Sequence, residues 1–253
     1  MPVYHYDEQA LNLLATIFSP GYIHLGSQAW VTSLGQEFDL AGKKVLDFGS
    51  GAGGPACYLA TQEVQITGVE VSDFLLAKSK ALAVQQNVAG RVEFLQLIGE
   101  TFPAHYKFDL IMSINTLSRY KEKNHWFAEF NRMLRGSGTL MLMDWFHKTG
   151  DYSLEAQAFL QFSDEILYLN TVQDYLQLLE KNKFNYVNFK DTTKAMRSLC
   201  EETILLMKTE HQGTLVTHFG AEYYEWWLEY WQLLYAALQT GDLITGYVRG
   251  VKS

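Results

Sequence analysis

Apolar residues recur at helical spacing over residues 7–18, where Ala10, Leu11, Leu14, Ile17 and Phe18 share a face. The Pro20-Gly21 pair closes that predicted helix, and residues 27–38 read as a second, shorter one. The pattern then switches. Short apolar runs at 44–48, 65–71, 92–97, 108–113 and 138–145 predict five strands, with helical stretches over 55–61, 74–86 and 124–134 between them. Such alternation predicts an α/β fold on a parallel sheet with helices on both faces. Beyond Phe146 the rhythm changes. Residues 153–169, 171–182, 192–210 and 220–239 read as helices, 185–190 as a sixth strand and 243–251 as a last one. The expected organisation is an N-terminal helical lid over 1–29 and an α/β core over 30–253. Helical insertions fall at about 147–170 and 192–240.

Composition narrows the class. At 253 residues a chain of this kind buries roughly 75% of its unfolded surface, so no metal or disulfide staple is required. A formal charge of −8 repels a phosphate backbone, and no basic run offsets it, so nucleic acid is not an expected partner. Cys57 and Cys200 lie far apart, outside metal or redox spacings, and read as reduced thiols of a cytoplasmic protein. The first residues lack the basic-then-apolar pattern of a secretory signal, and no run is long enough to span a membrane. The seven histidines show no metal-ligand spacing, so no metal is expected.

The segment VLDFGSGAGG places Gly49, Gly51, Gly53 and Gly54 between a predicted strand and a predicted helix. Glycines there let the backbone turn sharply and approach a ligand, and the following helix offers its unpaired N–H groups. Gly49, Gly51 and Gly54 also satisfy GxGxxG, so a dinucleotide such as NAD is a genuine rival. Asp47 argues against it, because a carboxylate two residues before the first glycine sits where a pyrophosphate would lie. Two like charges about 4 Å apart repel by roughly 4 kcal/mol at an effective dielectric of 20. S-adenosylmethionine instead brings an ammonium and a sulfonium to that place. Glu70, ending the second predicted strand, can accept the hydroxyls of a ribose in either cofactor.

The order VLDFGSGAGG, GVEVS, FDLIMSINTL, LRGSGTLMLMDW over about residues 40–146 resembles the successive motifs of class I S-adenosylmethionine-dependent methyltransferases. The resemblance implies a Rossmann-like seven-stranded sheet whose last strand, at 243–251, is antiparallel. It places Asp47, Gly49, Ser50, Gly51, Glu70, Val71, Ile98, Gly99, Ser113 and Ile114 against the cofactor, with Glu100 or backbone serving the adenine. A narrower resemblance, in YDEQALNLLATIFSPGYIHLGS and GDLITGYVRGVK, is to the phosphoethanolamine and sarcosine/dimethylglycine N-methyltransferase group. It implies that Tyr22, Ile23 and His24 belong to a lid segment touching the cofactor, and that Tyr6 takes part in catalysis. Where the phosphoethanolamine enzymes carry an aspartate and a histidine, this chain has Asn115 and Arg119. Glu165 and Leu234 stand where their phosphate-binding arginine and lysine fall, which argues against phosphoethanolamine as substrate.

The expected activity is methyl transfer to a small polar molecule, with an amine nitrogen favoured as acceptor. An oxygen acceptor, or a cofactor-binding protein with little activity, are the alternatives. An amine must arrive without its proton, so a base or acceptor is needed nearby. Tyr6 is the first candidate, polarised by Arg119 or by His24 or His147. Asn115 is read as a substrate hydrogen-bonding group or a helix cap, and Trp145 as a substrate-contacting aromatic. Tyr223, Trp226, Trp227, Tyr230 and Leu234 share one face of a helix. Core packing is the favoured explanation of that face, and an aromatic cage for an ammonium group the other.

Overall fold

Every strand predicted from the apolar runs forms. The computed structural model describes residues 6–99, 101–103, 105–163 and 166–253. Strands β1 (Lys44–Phe48), β2 (Gln65–Glu70), β3 (Val92–Gln96), β4 (Phe108–Ile114) and β5 (Leu134–His147) pair in parallel. β6 (Phe184–Asp191) and β7 (Leu243–Lys252) complete a seven-stranded sheet of order β3-β2-β1-β4-β5-β7-β6. β7 runs antiparallel to both β5 and β6. The order reverses at β1, which pairs with β2 on one side and β4 on the other. A crevice opens at the carboxyl ends of the strands at such a switch point.

Side chains alternate across the pleat, so β1 feeds two cores. Val45 joins Ile66, Met112 and Met141 in one, while Leu46 and Phe48 join Ile111 and Leu140 in the other. The first core is covered by α1 (Glu8–Ile17), α2 (Ser27–Glu37) and α3 (Gly54–Ala60). Helices α8 (Thr193–Lys208) and α10 (Ala221–Thr240) also pack there. The second holds α5 (Asn124–Met133) and α7 (Val172–Lys181). Asp7 caps α1 by accepting from the Ala10 N–H at 2.8 Å, and Ser72 caps α4 (Asp73–Gln85) through the Leu75 N–H.

Two predicted boundaries shift. The helix expected over 153–169 stops early: α6 spans Leu154–Phe162. Beyond it the Tyr168 N–H donates to the Ser118 carbonyl at 2.6 Å, and Asn170 bridges to Phe146. Cross-chain pairing there overrides a local apolar pattern that is helical in period. Conversely, α9 (Gln212–Phe219) forms where no helix was expected, wedged between α8 and α10. No helix among the described residues is long and apolar enough to cross a membrane.

Candidate active site

The glycine turn after β1 is built by conformation and by crowding. Gly49 has φ +79°, and a Cβ there would stand 2.2 Å from the Thr116 hydroxyl oxygen, so only glycine fits. Gly54 has a different task from the one GxGxxG suggests. A Cβ on it would meet the Gly21 carbonyl carbon at 2.6 Å, and its N–H donates to the Gly21 carbonyl at 3.0 Å. The last glycine of the motif therefore docks a strap, residues 20–24, onto the start of α3. From that strap the Ile23 side chain lies over Gly51, 2.7 Å from where a Cβ would stand.

Two carboxylates meet beneath this turn. Glu70 accepts from the Gly51 N–H at 2.9 Å with one oxygen, and from the Val71 and Ser72 N–H groups at 2.8 and 3.0 Å with the other. Asp47 is 1% exposed, and its Oδ2 has no protein partner. Burial, then the neighbouring Glu70 charge, pushes the Asp47 carboxyl up to about 7. A buried, unpartnered acid beside a second acid is a site that wants a cation.

Two narrow clefts flank the turn. One, of about 30 Å³, is lined by Gly49, Gly51, Glu70 and Val71 with Tyr6, Ile23, His24, Asn115 and Arg119. The other, of about 20 Å³, brings Asp47 and Ser50 to the same strap and to Ile114. The predicted cofactor residues Asp47, Gly49, Ser50, Gly51, Glu70, Val71, Ile23, His24 and Ile114 thus converge. Four do not line either cleft. Ser113 is buried and donates its hydroxyl to the Phe48 carbonyl at 2.8 Å. Tyr22 is buried and lines a separate groove against α8. Ile98 is 80% exposed, and Gly99 has open space beside it. Leu97 reaches the cleft from that segment instead. Glu100 and Glu165 lie outside the described residues.

A chamber of about 800 Å³ adjoins the clefts, sharing Tyr6, Ile23, His24, Asn115 and Arg119 with them. Asn115 is set by backbone strain. Its φ of +50° puts a non-glycine residue in the left-handed region, and its N–H donates to the Met143 carbonyl at 2.8 Å. That turn directs Ser118 and Arg119, from the 3-10 turn Leu117–Arg119, toward the chamber. Asn115 is 5% exposed, and its Oδ1 has no protein partner. The His24 ring meets Tyr6 edge-on, with centroids 6.1 Å apart. Burial, then the Arg119 charge, holds its imidazole neutral, down to about 3. His147 lies instead beside Tyr152 and lines neither the chamber nor the clefts, so it does not stand in for the family's histidine.

The α10 aromatics have a double role. Trp227, Trp231 and Leu234 are buried, and together with Tyr223, Trp226 and Tyr230 they also wall the chamber. Packing, the favoured expectation for that face, is therefore half of the answer. Trp145 lines the chamber opposite. Spacing carried no signal for Asp7, Phe219 and Glu222, which line the same space from elements far apart in sequence. Behind the wall, Lys123 donates to the Tyr120 and Tyr168 carbonyls at 2.7 and 2.6 Å, fixing the segment beyond α6. The buried Asp144 accepts from the Tyr175 hydroxyl at 2.6 Å and from the Trp145 N–H at 2.9 Å, which seats Trp145. Among the described residues no three of histidine, cysteine, aspartate and glutamate group as a metal cage.

A parallel sheet with an antiparallel strand inserted beside its last neighbour, a glycine turn and paired acids at the switch point define the methyltransferase class of α/β fold. The chain belongs to the methyltransferase domain family, whose model matches residues 39–172. It thus carries a methyltransferase domain. It is 24% identical over 238 residues to a phosphoethanolamine N-methyltransferase of Triticum aestivum, covering 93% of this chain and 46% of that one. The chain spans less than half the length of the phosphoethanolamine N-methyltransferases of Triticum aestivum, Zea mays and Arabidopsis thaliana that it matches. In fold it is similar to Haemonchus contortus phosphoethanolamine N-methyltransferase 2 in complex with S-adenosyl-L-methionine. That match has a TM-score of 0.89 at 19% identity, covering 99% of this chain and 58% of that one. A putative sarcosine dimethylglycine methyltransferase from Galdieria sulphuraria matches with TM-score 0.79 at 16% identity, over 99% of both chains.

Proposed function

We propose that this protein transfers a methyl group from S-adenosylmethionine to the amine nitrogen of a small molecule held in the chamber. The observation that carries the reading is Asp47, a buried carboxylate with an unpartnered oxygen beside a glycine turn that no Cβ would fit. The residues present fit the cofactor. Asp47 would receive its ammonium, the amides at Gly49–Gly51 its polar backbone, and Glu70 its ribose through the lone pairs left over from three N–H donors. The cofactor supplies an activated methyl on a positively charged sulfur.

The chain's own residues do the rest. Holding a nucleophile in line with a reacting carbon is worth roughly 7–11 kcal/mol, and this is the role of Tyr6 and Asn115 at the junction of cleft and chamber and of Trp145 in the chamber. Asn115 Oδ1 accepts a hydrogen bond from the amine and turns its lone pair toward the cleft. The Arg119 charge at the same junction disfavours an ammonium and favours the free amine. It also polarises Tyr6, whose hydroxyl oxygen accepts a hydrogen bond from the amine and relays the departing proton to water. Clefts of about 30 and 20 Å³ are too small for a nucleoside, so the strap carrying Ile23 and His24 swings out to admit it. Residues 1–29 are the lid in this reading, and 30–253 the catalytic domain. The two unpaired, buried thiols, Cys57 and Cys200, support a reducing cytoplasmic setting.

Calorimetry with S-adenosylmethionine and with NAD, followed by label transfer to a panel of amines and alcohols, tests the proposal. Binding of the first cofactor alone, with label on amines, is expected. Heat with NAD only overturns the cofactor, label on alcohols only overturns the nitrogen, and tight binding without transfer marks a binding protein.

A further inference from the structure

The chamber is the wrong container for a small zwitterion. At about 800 Å³ it falls in the range of roughly 300–1,000 Å³ that holds drug-sized ligands, which bury most of their surface against apolar walls. A molecule the size of sarcosine would leave most of that space to water lying on aromatic faces. The charge pattern also excludes a phosphorylated head. Among the described lining residues Arg119 is the single permanent cation, whereas Asp7 and Glu222 are acids. A dianion needs several charge-assisted donors and would meet two carboxylates instead.

What the walls do offer is specific. On α10, Trp226 lies nearly parallel to Tyr230, with ring centroids 5.9 Å apart at 24°, and to Phe162 at 5.4 Å and 25°. Trp226 is 37% exposed, so this ladder of flat rings is only partly covered. Trp231 is 3% exposed, lines the chamber, and its indole N–H has no protein partner. Asn115 Oδ1 is the corresponding unpartnered acceptor at the cofactor end. A buried acceptor without a partner is costly unless a ligand completes it.

We propose that the acceptor is an arylalkylamine. Its nitrogen lies at Tyr6, Asn115 and Arg119, and its planar ring packs along the Trp226–Tyr230 wall. This rests on the reading above that nitrogen is the nucleophile. In the reaction the amine lone pair forms the new N–C bond as the sulfur–methyl bond breaks, the sulfur keeps that electron pair, and the ammonium proton leaves to water by way of the Tyr6 hydroxyl. The ring faces and the Asp7 and Glu222 carboxylates also favour the approaching cationic form through the outer part of the chamber.

The test is calorimetric titration of tyramine, tyrosol, sarcosine and phosphoethanolamine into protein saturated with S-adenosylhomocysteine. Tyramine is expected to bind at least about tenfold tighter than either small amine, the scale of one good aromatic contact. Trp226→Ala should lose about that factor and Trp226→Phe restore most of it, with affinity for the homocysteine product within about twofold in both. Glu222→Gln, at an exposed position, should weaken tyramine a few-fold (roughly 0.5–1 kcal/mol of cation attraction) and leave tyrosol unchanged. Tyramine binding no tighter than sarcosine or phosphoethanolamine overturns the inference, as does an unaltered tyramine affinity in a folded Trp226→Ala protein. Methyl transfer to sarcosine in that case leaves the proposed function standing. Failure of S-adenosylhomocysteine itself to bind would count against the proposed function rather than this inference alone.

Discussion

The cofactor cleft and the acceptor chamber touch at five residues, yet they are made differently. The cleft is built from backbone: a glycine turn, amides donating to Glu70, and one buried acid, all within short stretches of sequence after β1, β2 and β4. The chamber is built from side chains brought from Tyr6 at one end of the chain to Leu234 near the other. Backbone chemistry needs particular residues at fixed spacing, because only glycine tolerates the Gly49 turn. Aromatic walls can be assembled from any helix that faces the space. The cofactor is therefore written in a motif, while the acceptor is written only in three dimensions.

Substitution at Asp47 should break that comparison most sharply. Asp47→Asn removes a charge-assisted hydrogen bond worth about 1.5–3 kcal/mol, so affinity for S-adenosylmethionine should fall roughly 10- to 100-fold. The same change relieves a buried charge, so the ligand-free variant should melt no lower than the parent in scanning calorimetry. Gly54→Ala tests the strap, since its methyl would press on the Gly21 backbone. Overpacking of this kind costs about 1–3 kcal/mol, to be read from urea unfolding. Tyr6→Phe should lower kcat about tenfold while S-adenosylmethionine affinity stays within a few-fold, because the hydroxyl acts on the acceptor side. An unchanged kcat removes Tyr6 from the mechanism. Ile98→Ala should have the smallest effect. A surface side chain that adenine would partly cover contributes a few tenths of a kcal/mol to about 1, seen as a two- to fivefold weaker Kd.

The same contrast explains what was legible in the sequence. The α/β class and the strand positions follow from apolar period, the antiparallel last strand from the family resemblance, and all appear in the structure. Most of the cleft was legible too, because Asp47, Gly49, Gly51 and Glu70 carry their chemistry in residue type and spacing. GxGxxG misled on one point: Gly54 satisfies the pattern but packs against Gly21, a contact that no local spacing reveals. The α10 aromatics were visible as a face, but period alone does not distinguish a ring against the sheet from a ring against a cavity. The end of α6 at Phe162 was hidden because hydrogen bonding from Tyr168 to Ser118, fifty residues upstream, decides it.

Proton linkage gives the cleft a signature the chamber lacks. Burial and Glu70 raise Asp47 from an ordinary carboxylate to about 7. A carboxyl whose folded pKa lies above its unfolded value favours folding in its protonated form. The ligand-free protein should therefore lose stability as pH rises from about 4 to 7 and level off above. A cationic ligand prefers the ionised carboxylate, so binding has the opposite slope. With a pKa of about 7, S-adenosylmethionine should bind about tenfold more tightly at pH 8 than at pH 6.

The most direct measurement is the number of protons released when S-adenosylmethionine binds at pH 6, obtained by calorimetry in buffers of different ionisation enthalpy. If Asp47 receives the positive end of the cofactor, the parent protein releases about one proton and Asp47→Asn releases almost none. Equal release by the two proteins, or none by the parent, would contradict the account.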